Sequence, residues 1–355
     1  MVAVVNEISP EFEVTIRCDT ELWPAFRERL RRDISFGHFP CDLGILSPPG
    51  QNSRTDWPGT FDRLERRFKQ ISAASDAEVQ WLASSGAGVV YADASLIPLK
   101  LAHCAALPAF LGANFTWNEI YSDLLHSPEA SQFSMDQTIR YRQIIKEMTE
   151  ASSNAILLKH WPCTEMSNIG RESIEVGMVV NRGQNIRHEL IIELGLRPDC
   201  RLVYFYVGRY GVEDLEWHRL NELPDNVVII GFHPPGISLE GRFFTVCPDR
   251  FSGADLLKSV DVAVVKAGYG AVVEAMCVGT PVVYPPRPGF VEFPALDSAL
   301  RGWQGGYPVT EEAFNSLDLK NEIASAIHQA VAPPSVSADG ANRVARILQD
   351  ACSGI

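Results

Sequence analysis

The chain has 355 residues, 46% of them hydrophobic and 21% charged, which is the composition of about two ordinary globular domains and excludes a disordered or fibrous chain. Its formal net charge of −13 argues against a broad nucleic-acid-binding face, which needs clustered Lys and Arg. A phosphorylated small ligand stays open, because phosphate capture depends on local backbone N–H groups and a few cations.

In chain order the first element expected is a helix over residues 2–8, followed by a strand over 12–18 and a charged amphipathic helix over 22–32. A long helix over 60–84 leads to a short apolar strand at 88–92. Residues 97–106 read as helix, 109–113 as strand, 135–149 as helix and 155–158 as strand. Residues 167–185 are polar and irregular, which puts a domain boundary there, with one domain over 1–170 and a second over 171–355. The alternation then restarts, with strands expected at 201–207, 226–231, 243–246, 261–266 and 281–284. Helices are expected at 186–194, 214–220, 254–259, 271–278, 319–331 and 341–351. Strand and helix in alternation are the pattern of parallel α/β sheets.

Eight cysteines occur, none in a CxxC pair, and reduced, mostly buried thiols are expected, as in a cytoplasmic protein. No basic leader opens the sequence and no window approaches the ~20 apolar residues of a membrane span, although peripheral membrane contact stays compatible. No metal and no resident cofactor is expected.

The segment with most chemical content is Asp261-Val-Ala-Val-Val-Lys-Ala-Gly-Tyr-Gly-Ala-Val-Val-Glu. A buried strand ends at Lys266, a turn passes through Gly268, Tyr269 and Gly270, and a helix starts at once. Free N–H groups around Gly270 and Ala271, with the helix dipole, suit a pyrophosphate. Glu274, one turn on, could accept hydrogen bonds from ribose hydroxyls. The glycines alone would equally fit a plain tight connection.

With Gly279-Thr280-Pro281 following, this segment resembles the donor-binding motif of GT-B glycosyltransferases, a group that includes the peptidoglycan N-acetylglucosaminyltransferase and the UDP-glucuronosyl and glucosyl enzymes. Lys266 stands where that family usually has His, as in a branch reading K-x-G-Y-G that also occurs in the amino-terminal region of plant arabinose kinases. Asn114-Phe-Thr-Trp-Asn-Glu-Ile-Tyr121 is similar to the N-F-(S/T)-W-x-x-I-Y signature of the same branch. The resemblance implies two Rossmann-like domains facing across a cleft, a nucleotide-sugar donor (UDP foremost), an acceptor of unknown kind and metal-independent transfer of a hexosyl type. It carries over Lys266 and Arg209 as phosphate contacts, Glu274 to the ribose and Glu292 to the sugar hydroxyls. It also carries over Asp93 to the catalytic machinery, and Asn114, Trp117 and Tyr121 to the acceptor side.

Each assignment has a structural competitor. Asp93 would also serve as a helix N-cap, and Trp117 and Tyr121, spaced i, i+4, as one packed helix face. Lys266 would also fit as an exposed strand-end lysine, and Arg209 as an exposed loop arginine. Phe251 is a weaker candidate for contact with the base, and Gly37-His38 falls after the first charged helix, where a structural role is expected. The family's opening strand and its Gly-His loop are expected to be missing ahead of residue 2. Rival readings are a nucleotide-sugar-binding protein without catalysis, a nucleotide-sugar epimerase of the same fold, and a nicotinamide-dependent oxidoreductase. The last would want a full GxGxxG, where only GxG is present.

Overall fold

The structure is a computed structural model that describes residues 1–41, 44–48, 55–208, 215–233 and 237–354. The chain forms two compact units, one built on Met1–Leu46, Asp56–Val179 and Ser337–Ile355, the other mainly on Val180–Val336. The sequence division at 170/171 therefore shifts to 179/180, and the last helix returns to the first unit.

In the first unit, β1 (Thr15–Cys18) pairs in parallel with β2 (Ser35–His38). A separate parallel sheet has the order β3 (Val90–Asp93), β4 (Ala109–Ala113), β5 (Ile156–His160) and β6 (Glu172–Gly177). β4 is buried at every position, as a strand covered on both faces must be. On one face Leu111 and Leu157 join Phe61 and Leu64 of the long helix Trp57–Ser84 and Tyr121 of the helix Trp117–His126. On the other, Phe110, Leu158 and Val176 meet Val344 and Leu348 of the closing helix Gly340–Ser353.

Three departures from the sequence reading have local causes. The helix expected over 22–32 is a short one, Trp23–Arg27, behind a 3₁₀ turn. Past it, the Asn6 side chain accepts from Arg31 N–H at 2.9 Å and donates to the Arg29 carbonyl, holding the backbone out of helical register. β2 was not expected; the Arg17 side chain lies against its Gly37, where a Cβ would push the guanidinium aside. β6 falls inside the stretch read as irregular, because an edge strand with exposed Glu172 and Ser173 and one deeply buried valine has no long apolar run. Of the cysteines, Cys18 and Cys200 are buried while Cys104, Cys247 and Cys352 are exposed, so the thiols are less enclosed than expected.

The second unit carries one parallel sheet of six strands. They are β7 (Arg201–Tyr206), β8 (Val227–Gly231), β9 (Phe243–Thr245), β10 (Val262–Val265), β11 (Val282–Tyr284) and β12 (Gly306–Pro308), in the order β12-β11-β10-β7-β8-β9. The order proceeds outward from β7 in one direction as far as β9, then resumes at β10 on the other side of β7. The switch point between β7 and β10 is where open α/β sheets leave a crevice at the carboxyl ends of the strands. At the opposite ends, Asp261 accepts from Arg187 at 2.9 Å, Arg201 at 3.0 Å and the Leu202 N–H at 2.8 Å, fastening β7 to β10. No described helix is long and apolar enough to cross a membrane.

Candidate functional site

At the carboxyl end of the switch point, the Lys266 N–H bonds to the Tyr206 carbonyl at 3.0 Å, the last rung between β10 and β7. The chain turns through Ala267 and Gly268 and enters the helix Tyr269–Val278, whose first backbone bond runs from Val272 N–H to the Gly268 carbonyl. No side chain caps this helix, so the N–H groups of its first turn, Gly270 and Ala271 among them, are presented outward with the positive end of the dipole.

The glycines differ in what holds them. Gly279 ends the helix at φ 78°, and a Cβ there would meet the Val331 carbonyl at 2.5 Å, so both conformation and packing require it. Thr280 next to it donates to the Leu257 carbonyl at 2.6 Å. Gly268 has an ordinary extended backbone, φ −122° and ψ 150°, and a Cβ on it would come no nearer than 3.8 Å to Arg287 Nη1. A Cβ on Gly270 would meet nothing within 4 Å. Among the described residues nothing demands glycine at 268 or 270; what their missing side chains provide is room on the outer side of the turn.

Three charged side chains surround that room. Lys266 is half-buried, and burial, then the neighbouring Arg287 guanidinium, lower its pKa to about 8 against the pull of Glu292. Arg287, in the loop after β11, donates through Nη1 to the Ala267 carbonyl at 2.7 Å and to Glu292 Oε1 at 2.9 Å. Glu292, with 5% of its side chain exposed, immediately precedes the helix Phe293–Trp303. Glu274 is half-buried on the glycine-turn helix, where its Oε1 accepts from Asn181 Nδ2 at 2.8 Å. Sequence reading missed Arg287 and Asn181. A usable signal for Arg287 was its place after a strand adjacent to β10, at the edge where ligands bind. Arg209 lies outside the described residues. Phe251 is 3% exposed and packed in the interior.

In the first unit the named residues gather near the carboxyl ends of β3, β4 and β5. Asp93 Oδ2 accepts from the Met1 amino group at 2.6 Å. Burial pushes its carboxyl up, but the amino group, helped by His160, leaves it below its ordinary value. His160, 5% exposed, is lowered to about 4, mainly by burial, and is neutral at pH 7. The Asn-Phe-Thr-Trp motif is largely architectural. Thr116 caps the helix Trp117–His126 in a reciprocal box with Glu119, and Asn118 donates to the Ile145 carbonyl and to Thr149. Tyr121 is 0% exposed and gives its hydroxyl to the Gly44 carbonyl at 2.7 Å, so it sits in the core and does not line an acceptor surface. Asn114 is buried as well, its carbonyl accepting from Thr164 N–H at 2.8 Å; Trp117 is half-buried, edge-on to Phe115 at 5.2 Å. His38 is an exposed strand end.

The parallel α/β sheets of the two units match the fold of GT-B glycosyltransferase structures. The glycotransferase of kitacinnamycin matches with a TM-score of 0.62 and 14% identity over 99% of this chain and 91% of that one. UGT89C1 of Arabidopsis thaliana, complexed with UDP, matches with a TM-score of 0.58 and 12% identity over 98% and 90%. No protein-family model matches. In sequence the chain is 26% identical to the L-arabinokinase of Arabidopsis thaliana over 256 residues, 70% of this chain. It spans 23% of that kinase's length.

Proposed function

We propose that the protein transfers a sugar from a nucleoside diphosphate donor, UDP foremost, to an acceptor hydroxyl, without a metal. The observation that carries this reading is the glycine turn at the β7/β10 switch point. It has outward N–H groups, a lysine beside it, and two glycines that the protein's own packing does not require. The diphosphate would rest against Gly268–Ala271, where the helix start and the Lys266 ammonium stabilise the charge that develops on the leaving group. Glu274 would take the ribose hydroxyls, already oriented by Asn181. A general base must remove the acceptor proton, and Asp93, ionised at neutral pH, is our candidate. The UDP complex of UGT89C1, a protein of this fold, supports the choice of UDP. The match to L-arabinokinase supports a sugar-handling role.

A second reading is nucleotide-sugar binding without turnover. Both are tested by thermal denaturation against UDP, TDP, GDP, ADP and NAD, followed by a search for diphosphate release from the sugar ester of whichever nucleotide binds. A ligand present at 100 times its Kd stabilises by about 2.7 kcal/mol. Selective stabilisation by one nucleoside diphosphate, lost in Glu274→Ala, supports the donor site, and release of that diphosphate supports transfer over simple binding. Stabilisation by NAD alone would overturn the reading.

A further inference from the structure

Arg287 is 13% exposed, and its guanidinium carbon lies 3.8 Å from the centre of the Phe290 ring. Both Nη1 protons are accounted for, one by the Ala267 carbonyl and one by Glu292. A guanidinium has five N–H donors. Among the described residues no acceptor lies within hydrogen-bond reach of Nη2 or Nε. Neither nitrogen is among the fully enclosed polar atoms that lack a partner, so these donors stay open to a ligand that supplies oxygens. The open side of Gly268 borders the same group, since a Cβ there would lie 3.8 Å from Nη1. Lys266 is close enough for the two cations to repel, and Glu292 pairs with Arg287.

We propose that Arg287 is a second cation for the donor diphosphate beside Lys266, and that Glu292 is the positioning residue for Arg287 and not a ligand of the sugar. The inference rests on the donor-site reading above. A diphosphate supplies what the arrangement lacks: oxygens arrayed for the fork of an arginine, and the negative charge to relieve the Lys266–Arg287 repulsion. Glu292 with one oxygen on Arg287 and 5% exposure is placed to orient the guanidinium, and the bond to the Ala267 carbonyl fixes the guanidinium against the turn.

The test measures binding of inorganic pyrophosphate, UDP and UDP-glucose by calorimetry, for the full chain and its Arg287→Ala, Arg287→Lys and Glu292→Gln variants. Pyrophosphate reports on the cradle whatever the base. Arg287→Ala should weaken pyrophosphate and UDP alike by about 30-fold, the loss of one charge-assisted contact. Arg287→Lys should recover part of that, and it serves alone if the alanine variant does not fold. Glu292→Gln should change UDP and UDP-glucose affinity by the same factor; a loss confined to UDP-glucose would return Glu292 to the sugar and overturn the proposal. Arg287→Ala should also raise the pH midpoint of UDP binding, because the repulsion on Lys266 is lifted. Wild-type chain that binds neither pyrophosphate nor any nucleoside diphosphate would sink the donor-site reading itself. Wild-type binding that Arg287→Ala and Arg287→Lys leave intact would sink this inference alone.

Discussion

Raising the pH from 7 to 9 should weaken nucleoside diphosphate binding through one side chain, Lys266. Its pKa is about 8 in the free protein, lowered by burial and by Arg287. About 90% of the lysine is charged at pH 7 and about 10% at pH 9, so if the bound anion holds the proton in place, affinity falls roughly tenfold across that interval. A nucleoside diphosphate changes little in charge there, whereas pyrophosphate loses protons within the interval, so the slope is read with UDP. The assay is calorimetry at constant ionic strength in wild-type chain and in Lys266→Arg, whose guanidinium does not titrate in this range. Wild-type affinity should fall while the arginine variant stays flat. Equal slopes in the two proteins would refute the assignment of the anion contact to Lys266. The same shift makes a statement about folding. An ordinary lysine titrates at 10.5, so between pH 8 and 10.5 the unfolded chain binds the extra proton, and stability rises with pH across that window. Below pH 8 the full penalty of enclosing the charge is present. Lys266→Met should therefore raise stability at pH 7 by roughly 2 kcal/mol, allowing for the solvent that still reaches the side chain, while binding is lost. A less stable Lys266→Met would contradict that account.

Gly270→Ala places a methyl where nothing lies within 4 Å, in a helical turn, so it should stabilise by up to about 1 kcal/mol in chemical denaturation and still weaken diphosphate binding. Gly279→Ala is its control, with a forced φ of 78° and a 2.5 Å approach to the Val331 carbonyl, and should cost about 2 kcal/mol or more in the same assay. His160 has a folded pKa of about 4 against an ordinary 6.5, so stability is intact above pH 6.5 and falls as the pH drops toward 4, by about 3 kcal/mol in all. Urea midpoints measured across that range should show the loss in wild-type chain and a smaller one in His160→Gln.

The second unit was legible in the sequence because its strands are buried on both faces and read as unbroken apolar runs: Val262–Val265 and Val282–Tyr284 fall within a residue or two of where they were expected. The short edge strands and helices were not, because Ser35–His38, Glu172–Gly177 and Gly306–Pro308 take their structure from one neighbour and leave no periodicity of their own. Thr116 with Glu119 three residues on spelled a capping box in plain sight. Reading that box first would have turned the Asn-Phe-Thr-Trp segment from an acceptor wall into a helix start with Tyr121 in the core. Arg287 shows the opposite limit. An arginine between two prolines in a loop gives no pattern, and its meaning comes from Ala267 and Glu292, which only the fold brings to it.

The two kinds of glycine carry the argument from fold to function. Gly279 is explained within the protein, by its backbone and the Val331 carbonyl. Gly268 and Gly270 have no such explanation, and they sit together at the switch point, beside a lysine whose charge the fold makes costly to hold. A half-buried cation and a bare turn would each lower stability to no purpose in an isolated chain. An anion bound between them gives both a purpose, because it relieves the charge and occupies the room. Stability at pH 7 should therefore respond to pyrophosphate in wild-type chain, and that response should shrink in both Gly270→Ala and Lys266→Met even though each variant starts from a more stable fold. A pyrophosphate response undiminished in either variant would separate the glycine turn from the lysine and leave the site without its physical rationale.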